Sequence, residues 1–375
     1  MKRICNLATI HLRDDVRIFR KECFVETQNY EVHYVTCDGK SYELKNNVHI
    51  HGIKRYKSKL QRAIFAPFRV YRKAKAINAD IYVLHEPELL LIAFLLKRED
   101  KCVVFDCHEY YDRPKRDVPF MLSVVLIFFF KCLARFSIPH MDGNIAATEG
   151  VADFLKKVHG KNIHILHNYA RLKDFESVQM PDFKHRHCIL FTGSFLPVIL
   201  NLIRALTLCK NDIKLILRLG NRYSTVLNSV INTPGFQKTD FKENVCWQQI
   251  KLLHKECFAG FILHPNCLGN VSASSNKLQE YMANGLPGIV IDEAMNCMWY
   301  KNFMNNNGHP LGLVVDSDPQ AIADVIDYLY ENKEVARTMG MNGRKAFETK
   351  YNFESEADGF LKFLEEVFQS KNQNK

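Results

Sequence analysis

The sequence predicts an α/β protein with two Rossmann-like, doubly wound domains in tandem. Short apolar runs alternate with helical patterns in both halves of the chain, as is typical of parallel sheets covered by helices on both faces. A length of 375 residues also exceeds the size at which one hydrophobic core usually keeps growing. Two domains are therefore expected.

The order of the elements supports this division. Five runs in the first half are predicted strands, at 4–10, 31–36, 81–85, 102–106 and 143–146. Five more follow in the second half, at 188–192, 214–219, 260–263, 288–291 and 312–315. The join is expected near His167, Asn168 and Tyr169, giving domains 1–167 and 168–350. Apolar residues at helical spacing near the end predict a final helix within 351–375.

Composition excludes several classes of protein. Hydrophobic residues make up 47% and charged residues 25% of the chain, which is too apolar for a disordered protein. The 12 cysteines include no CxxC pair, so a zinc site is not expected. No signal peptide is visible at the N-terminus, and we expect reduced thiols in a cytoplasmic protein.

The positive charge is concentrated in the first half. Residues 1–170 carry 28 Lys and Arg against 19 Asp and Glu, a balance of +9, whereas the remainder carries +1 of the total of +10. Residues 54–75 contain nine basic residues, no acidic residue and four aromatic ones. Nucleic acid, anionic lipid or a phosphorylated acceptor would each suit this stretch. A solvated helix face with no ligand is the plain alternative.

One apolar segment stands apart. Residues 120–130 contain a single polar residue, and basic residues lie on both sides at Lys115, Arg116, Lys131 and Arg135. The segment is too short to span a bilayer, which takes about 20 apolar residues. An apolar body with basic flanks predicts an interfacial helix on a membrane surface across 115–135. A buried core helix is the alternative.

The stretch 272–287 carries the strongest local signal. It predicts a helix that begins near Ser275 or Asn276 and ends at Gly285 and Pro287. The free backbone N–H groups of its first turn, together with Lys277, would suit a phosphate. Glu280, one turn later, would suit the paired hydroxyls of a ribose. A capped surface helix without a ligand is the competing interpretation.

Three motifs in this order resemble glycosyltransferase family 4, in particular the bacterial members that build surface polysaccharides. They are His11-Leu-Arg13-Asp-Asp15-Val-Arg17-Ile-Phe-Arg-Lys21-Glu22, then Asp106-Cys-His108-Glu109, then Ser275-Asn276-Lys277-Leu-Gln-Glu280-Tyr-Met-Ala-Asn-Gly285-Leu-Pro287. The resemblance implies a GT-B fold, in which two Rossmann-like domains face a cleft and the last helix crosses back to the first domain. It also implies retention of anomeric configuration, with no cofactor and no metal.

The resemblance assigns the donor site mainly to the second domain. Glu280 matches the second Glu of the family's Glu-x7-Glu element, which holds the ribose, while Ser272 stands where the first Glu is expected. Asn276 and Lys277 begin the same helix. Relatives carry an Arg and a Lys after the turn that matches Gly193 and Ser194, and this chain lacks both. The remaining candidates for the donor phosphates are Lys277, Arg218, Arg222 and, from the first domain, Arg13.

The first domain is expected to supply the catalytic and acceptor residues. His108 matches the histidine that relatives place beside the donor sugar, and Glu109 is its expected partner. His85 and Glu86 match an element that would bind the acceptor, although Glu86 would equally cap the helix that Pro87 begins. A satisfied histidine at a strand end and an Arg–Asp surface lattice are the plain alternatives for His108 and Arg13.

These expectations describe a transferase that moves a sugar from a nucleotide diphosphate-sugar to a lipid-linked glycan, on the inner face of the cell membrane. The missing Arg–Lys pair and Ser272 leave an alternative, a catalytically impaired protein that binds sugar nucleotides or glycans for another transferase. Binding to nucleic acid is not expected, because nothing in the sequence resembles an RNA-recognition signature.

Overall fold

The protein folds into two compact units in a computed structural model. The first unit contains residues 1–168 and 356–375, and the second contains 169–355. The structure describes residues 1–56, 58–108, 120–176, 178, 182–193, 197–219, 231–243, 252–264, 276–292 and 298–373.

The first unit is built on an eight-stranded sheet of order β3-β4-β2-β1-β5-β6-β7-β8. All neighbouring strands are parallel except β3 and β4, which are antiparallel. The strands are β1 Lys2–Leu7, β2 Tyr30–Thr36, β3 Glu43–Lys45, β4 Val48–Gly52, β5 Ile81–Leu84, β6 Cys102–Cys107, β7 Gly143–Ala146 and β8 Ile163–Ile165. The central strands are buried along nearly their whole length, because helices cover both faces.

The connections of the first unit are helical. After β1 the chain forms a π-helical segment, Ile18–Cys23, which continues as one α-helical turn. The α-helices are α1 Phe24–Glu26, α2 Lys59–Ile77, α3 Leu90–Arg98, α4 Phe120–Ser137, α5 Glu149–Lys157 and, from the end of the chain, α12 Glu354–Gln373. Most of α12 belongs to this unit, where Phe363 and Val367 pack so closely on Gly143 that a side chain there would clash.

The second unit has a six-stranded parallel sheet of order β11-β10-β9-β12-β13-β14. Its strands are β9 Cys188–Gly193, β10 Lys214–Leu219, β11 Thr239–Glu243, β12 Cys257–His264, β13 Gly288–Asp292 and β14 Gly312–Val315. Its helices are α6 Ile199–Leu208, α7 Pro234–Gln237, α8 Asn276–Ala283, α9 Met298–Asn305, α10 Pro319–Glu331 and α11 Lys333–Thr349.

The ten predicted strands are all present, within a few residues of the expected bounds. The predicted helix at 276 is α8, which is followed by Gly285 in a left-handed conformation (φ 65°). Four short strands were not predicted, namely β3, β4, β8 and β11. Within the described residues, no helix is both long and apolar enough to cross a membrane.

Each unit has its own hydrophobic core between sheet and helices. All strands but β3 are parallel, so their C-terminal ends lie together at one edge of each sheet. We call these the first edge, where β1, β5 and β6 end, and the second edge, where β9 and β10 end. Ligands of doubly wound folds bind outside such carboxyl ends.

Candidate active site

The first edge brings together four polar side chains that are far apart in sequence. Asn6 lies near the end of β1, His85 follows β5, Asp106 lies near the end of β6, and His108 follows it. The parallel register pairs Leu7 with Leu84 and Leu84 with Phe105, which sets these ends side by side. Asn6 and Asp106 are fully buried, and His85 is almost so.

Asp106 is the centre of this cluster. Arg17 donates to both of its carboxylate oxygens, with Nε at 3.1 Å from Oδ2 and Nη2 at 2.9 Å from Oδ1. His108 Nε2 lies 2.6 Å and His85 Nδ1 3.1 Å from the same Oδ2. The charge of Arg17 and the hydrogen bond from His108 outweigh the effect of burial, so the pKa of Asp106 lies well below its usual value.

The two histidines are neutral near pH 7. Burial lowers the pKa of His85 to about 4, although Asp106 acts in the opposite direction. Burial also lowers the pKa of His108, helped by the charge of Arg17. A neutral imidazole has one N–H donor and one acceptor nitrogen. Within the described residues, both hydrogen bonds of His108 use Nε2 and none uses Nδ1.

His85, Asp106 and His108 also form a set of donor atoms that would suit a divalent metal ion. Their separations are 3.1 Å, 2.6 Å and, between His85 Nδ1 and His108 Nε2, 3.2 Å. However, Arg17 already pairs with both oxygens of Asp106, and its fixed positive charge opposes a cation at the same place. We therefore interpret the set as a hydrogen-bonded cluster.

The turn after β1 forms one side of the first edge. His11 Nδ1 lies 2.7 Å from Asp15 Oδ2, and Asp15 Oδ1 accepts from the backbone N–H groups of Arg17 and Ile18. Asp15 thus accepts hydrogen bonds at the start of the helical segment Ile18–Cys23, which Arg17 precedes. Burial would raise the pKa of Asp15, but the hydrogen bond and charge of His11 prevail and lower it to about 2. The ring of His11 lies 5.1 Å from that of His108, measured between centroids.

Glu86 has a different structural role from the predicted helix cap. Its side chain makes no capping bond to the helical turn Pro87–Leu89, although Pro87 does begin that turn as expected. Instead, the buried carboxylate accepts from the backbone N–H groups of Thr9 at 2.9 Å and Ile10 at 3.0 Å. The capping prediction is wrong because the turn after β1 offers the unpaired donors that this buried carboxylate needs. Its proposed contact with an acceptor stays a prediction.

Arg13 is held within the first unit. Its guanidinium donates to Asp38, with Nε at 2.5 Å from Oδ2, to Glu43 Oε2 at 2.5 Å and to the carbonyl oxygen of Ser41 at 3.1 Å. These acceptors match the Arg–Asp lattice given above as the plain alternative. They leave few of the guanidinium N–H groups of Arg13 to bind a diphosphate.

The second edge is built around Gly193 and Lys277. Gly193 ends β9 with φ at 134°, and a Cβ at this position would lie 2.6 Å from Lys277 Nζ. Lys277, in the first turn of α8, also lies over the ring of Phe191 at 5.7 Å. Within the described part of the chain, Nζ contacts no hydrogen-bond acceptor. Burial lowers the pKa of Lys277, while the charge of Glu280 acts in the opposite direction.

Arg218 is already hydrogen-bonded within the protein, so less of its guanidinium is available to a phosphate. It is 4% exposed, and it donates to Asp240 Oδ2 and to the carbonyl oxygens of Asp240 and Leu217 at 2.5, 2.5 and 3.1 Å. Among the predicted phosphate ligands that the structure describes, Lys277 therefore has the fewest hydrogen bonds to other described residues. Glu109, Ser194, Arg222 and Ser272 lie outside the described residues, and only the backbone of Asn276 is described.

Sequence reasoning missed three buried polar residues behind the cluster. Asn6 Nδ2 lies 2.6 Å from Glu26 Oε2, and Asn6 Oδ1 lies 2.9 Å from His85 Nε2. Glu22 Oε1 lies 2.9 Å from Arg17 Nε, and Glu22 is fully buried. A polar residue within the apolar run of β1 was the available signal for Asn6.

Comparison with known proteins agrees with this architecture. Residues 24–172 match the model of Glycosyltransferase Family 4. No curated protein sequence matches the chain. Sucrose-phosphate synthase from Thermosynechococcus elongatus is similar in structure, with a TM-score of 0.77 at 12% identity over 99% of this chain and 100% of that one.

Two further structures are similar over almost the whole chain. A glycosyltransferase from Rickettsia africae has a TM-score of 0.72 at 15% identity, covering 100% of this chain and 99% of that one. HepE from Anabaena, in complex with UDP-glucose, has a TM-score of 0.70 at 12% identity, covering 98% and 100%. The fold is thus that of the GT-B glycosyltransferases. The match of residues 24–172 makes the first domain similar to Glycosyltransferase Family 4.

Proposed function

We propose that the chain is a retaining transferase that moves a sugar from a nucleotide diphosphate-sugar to a lipid-linked glycan during bacterial surface polysaccharide synthesis. The observation that carries the donor class is the partly buried Lys277 ammonium, which lies at the second edge beside Gly193 without an acidic contact among the described residues. A buried cation needs a counter-charge, and a diphosphate supplies one. The UDP-glucose complex of HepE supports the same class of ligand.

The proposed reaction is a substitution at the anomeric carbon with retention of configuration. The bond from the anomeric carbon to the diphosphate oxygen breaks, and the acceptor oxygen attacks from the same face of the sugar. A diphosphate oxygen takes the proton of the acceptor hydroxyl. Lys277 compensates the charge that develops on the leaving group, and His108 Nδ1 accepts a hydrogen bond from a hydroxyl of the donor sugar. Glu280 binds the ribose, and no metal is required.

A ligand screen tests the donor assignment. UDP-, GDP- and ADP-sugars are each added to the protein, and the melting temperature is recorded together with calorimetric titration, because a ligand of the folded state raises stability. Lys277→Met should weaken the binding of the preferred donor by about tenfold or more, the loss expected for one charged hydrogen bond. Lys345→Met, at an exposed position of α11, is the matched control. Equal binding by both variants would contradict the assignment.

The acceptor assignment rests on an exposed apolar surface of the first unit. In α4, Val125 is 61%, Phe128 71% and Phe136 65% exposed, and the exposed Lys131 and Arg135 lie beside them. In α2, Phe65 and Phe68 are each 53% exposed and are flanked by basic residues. Both helices pack against α3. Apolar side chains with adjacent cations fit an anionic membrane surface, where lipid-linked acceptors reside.

Co-sedimentation with vesicles tests this surface. Vesicles rich in anionic lipid should bind the wild-type protein. Binding should be lost in the double variant Val125→Ser/Phe128→Ser. Tyr328→Ser, which changes a 46% exposed aromatic residue of the second unit, should leave binding unchanged. A protein that never sediments with anionic vesicles would contradict membrane association without affecting the donor assignment.

A second candidate function, on the same fold, is binding of a sugar nucleotide without catalysis. Arg218 is engaged by Asp240, which leaves Lys277 as the one described cation of the second edge without an acidic contact. A site with a single cation would bind a sugar nucleotide for another transferase and yet stabilise the leaving group poorly. Tight nucleotide binding with no hydrolysis or transfer for any donor would favour this alternative.

A further inference from the structure

The buried chain of polar contacts behind His108 has no part in the reaction proposed above. It runs from Glu26 through Asn6 and His85 to Asp106 and His108, with successive separations of 2.6, 2.9, 3.1 and 2.6 Å. Asn6, Glu26 and Asp106 are fully buried and His85 is 1% exposed. Every member is thus fixed by its neighbours rather than by solvent.

The hydrogen on His85 follows from the orientation of Asn6. Asn6 Nδ2 donates to Glu26, so its Oδ1 faces His85 Nε2 and can only accept. Asn6 therefore favours the His85 tautomer with its hydrogen on Nε2, in which Nδ1 is an acceptor and makes no hydrogen bond to Asp106 Oδ2, 3.1 Å away. Nδ1 lies 3.2 Å from His108 Nε2, so the hydrogen of His108 faces both His85 Nδ1 and Asp106 Oδ2.

This orientation of Asn6 is the one expected when Glu26 is ionised, because an ionised carboxylate can only accept hydrogen bonds. A protonated Glu26 would donate its O–H to Asn6 Oδ1, which turns the amide around and directs Nδ2 at His85 Nε2. The hydrogen of His85 then lies on Nδ1, where it donates to Asp106. One proton is gained by Glu26, and His85 keeps one hydrogen throughout.

We propose that Glu26 and Asn6 form a proton-linked switch that sets the tautomer of His85 and, through Asp106, the acceptor strength of His108. Asn6 is a positioning residue, because it acts on His108 only through His85. With Glu26 ionised, Asp106 receives no hydrogen from His85, and its charge makes His108 Nδ1 the stronger acceptor. The inference rests on the proposed contact between His108 and the donor sugar.

The surroundings of Glu26 place this switch near neutral pH. Burial raises the pKa of Glu26 to about 8, against the hydrogen bond from Asn6, and the charge of Asp106 adds to the rise. Other ionisable groups also act on it or respond to its charge, namely Glu22, Cys5, Cys23 and Tyr30. Burial raises the pKa of each of these four groups, so none adds a positive charge beside Glu26.

Nitrogen NMR of the histidine rings reads the switch without turnover. The full chain is labelled with ¹⁵N-histidine, and His85→Gln and His108→Gln variants assign the two rings. His85 should carry its hydrogen on Nδ1 at pH 6.5 and on Nε2 at pH 9.5. Glu26→Gln should abolish the change, and Asn6→Asp, which offers only acceptors, should hold Nε2–H throughout. An unchanged His85 tautomer in the wild type would overturn the proposal.

Activity supplies a second readout. Turnover at saturating donor should rise by up to about tenfold across the midpoint near pH 8, the effect of one pKa unit at His108. The rise should be absent in Glu26→Gln. Asn6→Leu should lower kcat and leave nucleotide affinity unchanged, whereas Asn6→Asp should restore kcat. Asn144→Leu, a fully buried Asn of β7, controls for loss of folding.

The NMR and activity measurements distinguish a failure of the switch from a failure of the proposed function. A tautomer change without turnover on any donor would contradict the proposed function and leave the switch intact. Normal turnover with a fixed His85 tautomer would overturn the switch and leave the proposed function intact.

Discussion

The two sheet edges differ in how their buried charges are compensated. At the first edge, Arg17 is 6% exposed and pairs with two carboxylates, Asp106 and Glu22, that are fully buried. At the second edge, Lys277 is partly buried beside Gly193 and contacts no acidic oxygen among the described residues. The ion pairs of the first edge are therefore complete within the protein, whereas we propose that an anionic ligand supplies the counter-charge at the second edge. On this proposal, the first unit holds preorganised polar groups and the second unit binds the donor phosphates.

The largest expected effect is at the first edge. His108→Ala should lower turnover by about 100-fold or more, the loss typical of removing one hydrogen-bonding group that stabilises the transition state. Nucleotide affinity should stay the same, because the proposed nucleotide contacts lie in the second unit. Sugar transfer at saturating donor and calorimetric titration with the free nucleotide measure the two quantities.

His140→Ala is the control for this prediction, since His140 is exposed and precedes β7 at the opposite edge of the same sheet. Loss of nucleotide binding in His108→Ala would mean that the division between the two units is wrong. Full turnover would remove His108 from the reaction.

Paired arginine variants test the comparison through stability. Arg17→Met leaves two fully buried carboxylates without their partner and should cost about 3–5 kcal/mol. Arg218→Met removes an arginine of similar burial, but its partner Asp240 is 53% exposed and can be hydrated. The cost there should be smaller, about 1.5–3 kcal/mol for charged hydrogen bonds.

Hydrogen exchange separates these effects in a two-unit protein, because it reports the opening free energy of individual strands. Arg17→Met should lower protection in β1 and β6, and Arg218→Met should lower it in β9 and β10. A larger loss for Arg218→Met than for Arg17→Met would refute the contrast between the edges.

The sequence predicted the frame of both units for a physical reason. Buried parallel strands are near-continuous apolar runs, so all ten runs with that pattern were found. The missed strands β3, β8 and β11 each lie at an outer position of their sheet and pair with one neighbour. Their sequences, Glu-Leu-Lys in β3 for example, are short or polar. Pairing with a neighbouring strand, rather than local pattern, makes them strands.

Residues of the candidate site could be predicted only where they belong to a recognisable motif. His108 and Lys277 were named because the resemblance and a helix start pointed to them. Asn6 and Glu26 are 20 residues apart and meet only because the helical turn α1 packs beside β1. The role of Glu86 was missed for the same reason, because its partners Thr9 and Ile10 are 77 and 76 residues away. Contacts between distant segments leave no spacing to detect.

A smaller effect tests the second edge. Gly193→Ala would place a Cβ against the end of the Lys277 side chain, at 2.6 Å from Nζ, and the ammonium would have to move. Donor affinity should fall by about tenfold, as for one charged hydrogen bond. Backbone strain should add roughly 1–3 kcal/mol of lost stability, since φ is 134°.

Gly308→Ala isolates the strain in this prediction. Gly308 also has a positive φ, 85°, but a Cβ there would contact nothing within 4 Å. It should lower stability and leave donor affinity unchanged. Equal affinities for the two variants would show that the position of Lys277 does not matter for the donor.

The smallest effect concerns the outer end of the first edge, where His167 follows β8. His167 Nδ1 lies 2.6 Å from Glu356 of α12, and Nε2 lies 3.1 Å from Glu149. Burial opposes protonation, but these two carboxylates prevail and raise the pKa of His167 to about 9. A folded-state pKa above the unfolded value of about 6.5 means that this stabilisation is complete below pH 6.5 and is lost as pH rises through 9.

His167→Gln measures that contribution by difference. The unfolding free energy of the wild type minus that of the variant should fall by about 1–2 kcal/mol between pH 6.5 and 9.5, a value reduced because Glu149 is 53% exposed. The subtraction also removes the pH dependence of Glu26, which both proteins share. Exchange protection in β8 and α12 is the local measurement. A difference that stays constant over this range would mean that the partners of His167 do not hold its proton.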